Sequence, residues 1–181
     1  MFEAEIEGGI SIRALSLEDG EALFALIEDN RTYFIDWIPF VSKTHAPSDI
    51  LPYIQGYIEK EALGDGFLCG IWQADILIGI ILVREIDREA KWAEIGYMID
   101  EGHSGRGIIT RASKMLITHL FQARGMDKIV ICCDAKNEGS VALARKLGFT
   151  FEGNMRNHYV VNGKITDMNH WGLLKKEFKE A

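Results

Sequence analysis

The chain has 181 residues, 48% apolar and 26% charged, which is the balance of a soluble globular protein with enough length to bury a core. Its net charge of −7 counts against a nucleic-acid binder, which needs clustered Lys and Arg to neutralise phosphate. No run approaches the ~20 apolar residues that cross a bilayer, so no membrane contact is expected.

Three cysteines, Cys69, Cys132 and Cys133, make no disulfide framework, and the five histidines are scattered without zinc spacing. A reduced cytoplasm and no metal are the expectation. MFEAEIEGG at the start has neither a positive nor an apolar leader segment. Pro39, Pro47 and Pro52 cluster, and no Gly/Ser-rich linker follows, so residues 1–181 read as a single domain.

In chain order, "ISIRAL" (10–15) alternates as a first strand. Ser16 with Asp19 three residues on starts a helix whose apolar stripe is Ala22, Leu23, Leu26 and Ile27. "YFIDWIPF" (33–40) is aromatic and proline-broken, either a plug for the core or the wall of a substrate pocket. "PSDI" (47–50) opens a second helix, with apolar residues at helical spacing through Ile58. Strands follow over 66–72, 76–83 and 91–100, and the second of them is apolar on both faces and hence central. "IITRASKMLITHLF" is a helix starting near Gly107. A buried strand (128–135), a short helix (138–149) and a hairpin turning at Asn162-Gly163 complete the chain, with a solvated tail. The order β-α-α-β-β-β-α-β-α-β-β gives antiparallel meanders around one β-α-β crossover, a mixed sheet of the α/β (α+β) class.

"GHSGRGIIT" (102–110) sits between a strand and a helix, where backbone N–H groups and the positive helix end can hold phosphate. Three phosphate loops begin this way. A Walker loop needs lysine where Ile108 stands, and a dinucleotide fingerprint needs glycine where Thr110 stands. A pyrophosphate loop using backbone alone fits; a glycine-rich turn without ligand is the plainer alternative.

"AEIGYMIDEGHSGRGIIT" resembles the coenzyme-A signature of the GNAT acetyltransferase superfamily, in the branch that acetylates N-termini of ribosomal proteins at alanine or serine. "NEGSVALARKLGF" resembles that family's second motif, with Asn137, Ser140 and "KLGF" in place. "RAL" (13–15), "DWIPF" and "YVVNGKITDM" also fit, so the resemblance covers nearly the whole chain. Two positions depart from the superfamily loop Q/R-x-x-G-x-G/A: Ser104 and Ile109 stand at its ends.

The resemblance implies the GNAT fold, with about seven mostly antiparallel strands, and acetyl-CoA as co-substrate without a metal. It places the pyrophosphate on Gly105, Arg106, Gly107, Ile108, Ile109 and Thr110. The pantetheine arm would lie between the ends of the strands over 91–100 and 128–135, pairing with backbone near Met98 and Ile99 and bonded by Asn137. Arg106 would pair with a phosphate oxygen, or else is a solvated loop charge.

Moving acetyl to an amine requires a base, donors for the developing oxyanion and a proton or hydrogen bond for the departing thiolate. Ser140 is placed beside the thiol by the family motif, with helix capping as its other reading. Backbone N–H near Ile99 would serve the oxyanion. Glu94 is the first choice of base, since alternation puts Glu94, Gly96 and Met98 on one face and Tyr97 on the other; His158 and Tyr159 are reserves. Cys132 and Cys133 lie beside the slot as buried thiols. The acceptor implied is a primary amine at a protein or peptide N-terminus. Small amines, or a non-catalytic acyl-CoA sensor, are the alternatives. A homo-oligomer stays open.

Overall fold

Apolar runs with period-2 alternation, broken by glycine and charged turns, build eight strands into one sheet. The structure, a computed structural model, describes residues 2–179. Its strands are β1 (Ala4–Ile6), β2 (Ile10–Ala14), β3 (Phe67–Gln73), β4 (Ile76–Asp87), β5 (Trp92–Ile99), β6 (Lys128–Asp134), β7 (Thr150–Val161) and β8 (Lys164–Leu174). They lie in the order β1-β2-β3-β4-β5-β6-β8-β7. Among the described residues, only β5 and β6 pair in parallel. The connection between them is α4 (Ile108–Gln122), which makes the β-α-β crossover. Helices α1 (Gly20–Asp29), α2 (Arg31–Phe34) and α3 (Pro47–Leu63) come before β3, and α5 (Glu138–Lys146) joins β6 to β7.

The sheet divides the apolar residues into two cores. Ile78, Ile81, Ala93, Ile95, Ile129 and Ile131 pack with Ala112, Leu116 and Leu120 of α4. On the other face Leu68, Ile80, Leu82 and Met98 pack with Leu23 and Ile27 of α1 and Ile50 and Ile54 of α3. Central β4 is buried on both faces from Leu77 to Val83, as its unbroken apolar run requires.

Several boundaries differ from the sequence reading. An eighth strand, β1, is too short for periodicity to reveal; Gly8 and Gly9, at φ 87° and 70°, fold it back on β2. β4 runs past Val83 into the charged "REID" because a bulge at Arg84 lets pairing with β5 continue. α3 extends to Leu63, where Gly64 closes it in the left-handed conformation. The tail is not wholly solvated, since the Phe178 ring lies 5.5 Å from that of Phe121.

A part-buried polar anchor ties β2 to the helical layer. Arg13 donates twice to Asp19, at 2.8 and 2.9 Å, and Ser16 donates its N–H to the same carboxylate at 2.8 Å. The Arg13 hydrogen bonds hold the Asp19 carboxyl below its ordinary range, against the opposing effect of burial. A depressed folded value means this stabilisation is complete above the unfolded value of ~3.9 and is lost as pH falls through the folded one. Asp19→Ala is therefore expected to cost about 1–2 kcal/mol at pH 7. The difference from wild type should shrink in melts as pH falls below the ordinary carboxylate range.

The feature that positions the site is a parting of the sheet. β5 and β6 pair only where Trp92, Ala93 and Glu94 meet Lys128, Ile129 and Val130. Beyond that, β5 stays bonded to β4 as far as Ile99, and β6 stays bonded to β8 as far as Asp134. Each strand is held on its outer side, and a gap opens between them.

Candidate active site

The gap is continuous with a cavity of about 820 Å³ that opens on both faces of the sheet. Its floor is Ile95 to Ile99 on one side and Ile131 to Asp134 on the other. Asp100 donates its N–H to Ile78 of β4 at 2.8 Å. By alternation the polar backbone of Met98 also faces β4, while that of Tyr97 and Ile99 faces the gap. This corrects the expectation that Met98 offers its backbone to a pantetheine arm; Met98 contributes a side chain, and Tyr97 and Ile99 carry the open N–H and C=O groups.

The glycine loop closes one end. Gly105 and Gly107 both adopt φ 75°, which reverses the chain twice within three residues. Gly107 is the N-cap of α4, and the first helical bond runs from Arg111 N–H to Gly107 O at 3.1 Å. The N–H groups of Ile108, Ile109 and Thr110 therefore have no partner within the helix and stand at its positive end. Gly105, Gly107, Ile108, Ile109 and Thr110 all line the cavity. Arg106 is exposed and lies outside the lining.

The loop is anchored from behind. Buried Asn30 accepts from Glu101 N–H at 2.9 Å and donates to Leu26 O at 3.0 Å. His103 pairs with Asp100 and reaches Gln73 Oε1 at 3.0 Å. Ser104, where the superfamily carries a longer side chain, instead faces the Tyr33 hydroxyl at 3.5 Å.

At the other end stands α5. Asn137 is its N-cap, its Oδ1 accepting Ser140 N–H at 3.0 Å, so the cap is Asn137 and not Ser140. Asn137 keeps its Nδ2–H donors to offer a pantetheine. The Ser140 Oγ lies 2.7 Å from the Tyr97 hydroxyl on β5. Burial pushes the Tyr97 phenol up, so it stays protonated at neutral pH.

Glu94 opens on the opposite face of the sheet, beside Arg84, whose Nε lies 3.1 Å from Glu94 Oε1. Burial pushes the Glu94 carboxyl up, and Arg84 only partly offsets it, leaving it above the ordinary carboxylate range. Glu94 and Ser140 thus sit on different faces of the sheet and meet only through the gap. Trp37, Phe40, Tyr53, His158 and Tyr159 wall the Glu94 side of the cavity, so residues 33–40 serve as pocket wall while Phe34 also fills the core.

Cys132 faces this side, its Sγ 3.4 Å from His170 Nδ1. Burial, helped by Glu94, pushes the Cys132 thiol up to about 12, so it is no thiolate nucleophile at neutral pH. Arg84 escaped sequence reading because a bulge has no periodic signature. Tyr97 escaped because its partner lies 43 residues away.

The chain matches the acetyltransferase (GNAT) domain family over residues 10–150. It is 33% identical to YdaF of Bacillus subtilis (strain 168), named as a candidate ribosomal N-acetyltransferase, across 99% of this chain and 98% of that one. It is 30% identical to the ribosomal-protein-serine acetyltransferase of Escherichia coli (strain K12), covering 91% and 92% of the two chains. Among solved structures it is similar to RimL, the ribosomal L7/L12 alpha-N-protein acetyltransferase in complex with coenzyme A. That likeness has a TM-score of 0.90 at 25% identity, over 96% of this chain and 98% of RimL.

Proposed function

The chain belongs to the acetyltransferase (GNAT) domain family and is an acetyl-CoA-dependent N-acetyltransferase, and from that premise we propose its acceptor and the roles of its residues. The acceptor is the α-amino group of a protein N-terminus of the ribosomal-protein kind, acetylated in the cytoplasm by direct attack in a ternary complex. What carries this reading is similarity along nearly the whole chain to a ribosomal-protein-serine acetyltransferase, joined to a gap that has a carboxylate on one face and a hydroxyl on the other.

Acetyl-CoA supplies an activated thioester. The residues fit it: left-handed Gly105 and Gly107 turn free N–H groups toward a pyrophosphate, and the parted strands admit an extended amide-bearing arm. Arg106, outside the lining, gives the phosphates only a distant charge. The N–H of Ile99, facing the gap, donates to the oxygen that gains charge as the amine attacks. Glu94, directly or through a water, takes the proton that the ammonium must lose. Its raised pKa makes it a better base than an ordinary carboxylate. Ser140 gives its hydroxyl hydrogen bond to the sulfur as the carbon–sulfur bond breaks. Cys132 stays protonated and out of the chemistry.

The acceptor is tested by incubating the enzyme with acetyl-CoA, peptides bearing ribosomal-protein N-termini, and polyamines, then reading masses. Acetyl on the peptide α-amine is expected; acetylation of polyamines alone overturns the acceptor assignment. Ser140→Ala is expected to lower kcat about 10–100-fold with little change in CoA affinity, since only the leaving group loses its partner. Normal turnover with a lowered Tm would leave Ser140 a purely structural part of α5.

A further inference from the structure

Serine in a helix tends to spend its hydroxyl proton locally, on the carbonyl one turn back. Ser140 lies in the first turn of α5, and the carbonyl four residues back, that of Lys136, precedes the helix and already accepts Glu138 N–H at 3.0 Å, so its hydroxyl must find its partners elsewhere. Among the described residues, the hydroxyl that meets it comes from across the gap, from Tyr97 at 2.7 Å.

We propose that Tyr97 is the positioning residue of the leaving-group side: its phenol donates to Ser140 Oγ and so turns the serine's own proton into the gap. This rests on the reading that Ser140 serves the sulfur. A hydroxyl carries one proton and two acceptor sites, so an Oγ that accepts from Tyr97 has its proton free for another partner. A phenol is the stronger hydrogen-bond donor of the two hydroxyl types, because its ring delocalises the charge left on oxygen, and so takes the donor role. Three further features hold the pair. The Ser140 N–H is fixed on Asn137 Oδ1 at 3.0 Å, which sets where Cβ points. Tyr97 lies on β5 beyond the last parallel pair, so its ring spans the gap from the strand that is bonded only to β4. Cys133 also hydrogen-bonds Ser140, but burial keeps it a thiol, a weak acceptor beside the anionic sulfur of a departing thiolate. Glu94 on the opposite face plays no part here, so acceptor deprotonation and leaving-group assistance are served by separate side chains.

A four-variant cycle tests this: wild type, Tyr97→Phe, Ser140→Ala and the double variant, each assayed for kcat, KM for acetyl-CoA, CoA affinity and Tm. Tyr97→Phe keeps the ring and removes only the hydroxyl. It is expected to lower kcat about tenfold, with KM for acetyl-CoA and CoA affinity within about twofold of wild type. Because Tyr97 acts through Ser140, the double variant should match Ser140→Ala within about twofold. Wild-type kcat in Tyr97→Phe beside an impaired Ser140→Ala overturns the Tyr97 role alone. An equal loss from Tyr97→Phe in both backgrounds, or a loss that follows Tm, assigns the tyrosine to independent chemistry or to packing and also overturns it. Normal kcat in Ser140→Ala removes the serine reading, and the Tyr97 role with it.

Discussion

Gly107→Glu is expected to weaken CoA binding about 100-fold, or ~2.7 kcal/mol, the largest change a single loop residue should produce. Two effects act, one on folding and one on binding. Gly107 holds φ 75°, and a side chain there costs about 1–2 kcal/mol of backbone strain in the folded state, whether or not ligand is bound. A carboxylate at the N-cap of α4 also occupies the place where Ile108, Ile109 and Thr110 present their N–H groups to a pyrophosphate. At 4 Å, like charges repel by ~1 kcal/mol in water and ~4 kcal/mol at an effective dielectric of 20, and this half-exposed loop lies between.

Gly107→Ala separates the two. Its Cβ would stand 3.2 Å from a terminal nitrogen of Arg111, the far end of a flexible side chain that can move away. Alanine should therefore reproduce the loss of Tm but weaken CoA only a few-fold. Calorimetric titration with CoA reads both; a glutamate variant that binds like the alanine variant rejects the pyrophosphate assignment.

Glu94→Gln is expected to lower kcat/KM for the amine acceptor by ~10²–10³, the range for removing a positioned base. KM for acetyl-CoA should hardly move. The pH dependence supplies the second signature. Burial raises the Glu94 carboxyl and Arg84 only partly restores it, so the base is lost as pH falls through a value above the ordinary carboxylate range. The wild-type profile should show that acid limb, and the glutamine variant should lack it.

Stability runs the other way. A carboxyl whose folded value is raised above its unfolded value binds its proton more tightly when folded, so its ionised form disfavours folding at higher pH. Replacing it with neutral glutamine, beside an Arg84 that is 47% exposed and can be solvated, should leave Tm unchanged or slightly higher at neutral pH. Lost activity without lost stability marks a working base. Lost stability with activity retained would make the carboxylate a structural partner of Arg84.

Local signals carried much of the site. The glycine loop is legible because left-handed backbone demands glycine, and both Gly105 and Gly107 adopt it. Alternation along residues 91–100 assigns Glu94 and Tyr97 to opposite faces, and the cores on the two sides of the sheet agree with that assignment. The resemblance placed a pantetheine against backbone near Met98 and Ile99 without showing which of the two has its polar groups turned to the gap. Only pairing with β4 shows that the polar groups of Met98 are occupied and that those of Tyr97 and Ile99 are open. Arg84 was hidden in a charged run that looked like the end of a strand, since a bulge leaves no mark in periodicity. Asn137 and Ser140 were found together, but which of them caps α5 depended on geometry.

By itself the sequence determined the four longer helices and every strand but β1, the loop that demands glycine, and a family whose chemistry needs acetyl-CoA, because each of these is written in local pattern and short motif. Tertiary structure alone decided that β5 and β6 part after three pairs, so that a carboxylate on one face and a hydroxyl pair on the other serve one cavity. Strand divergence follows from what each strand bonds on its far side, and those partners, β4 and β8, come from distant parts of the chain.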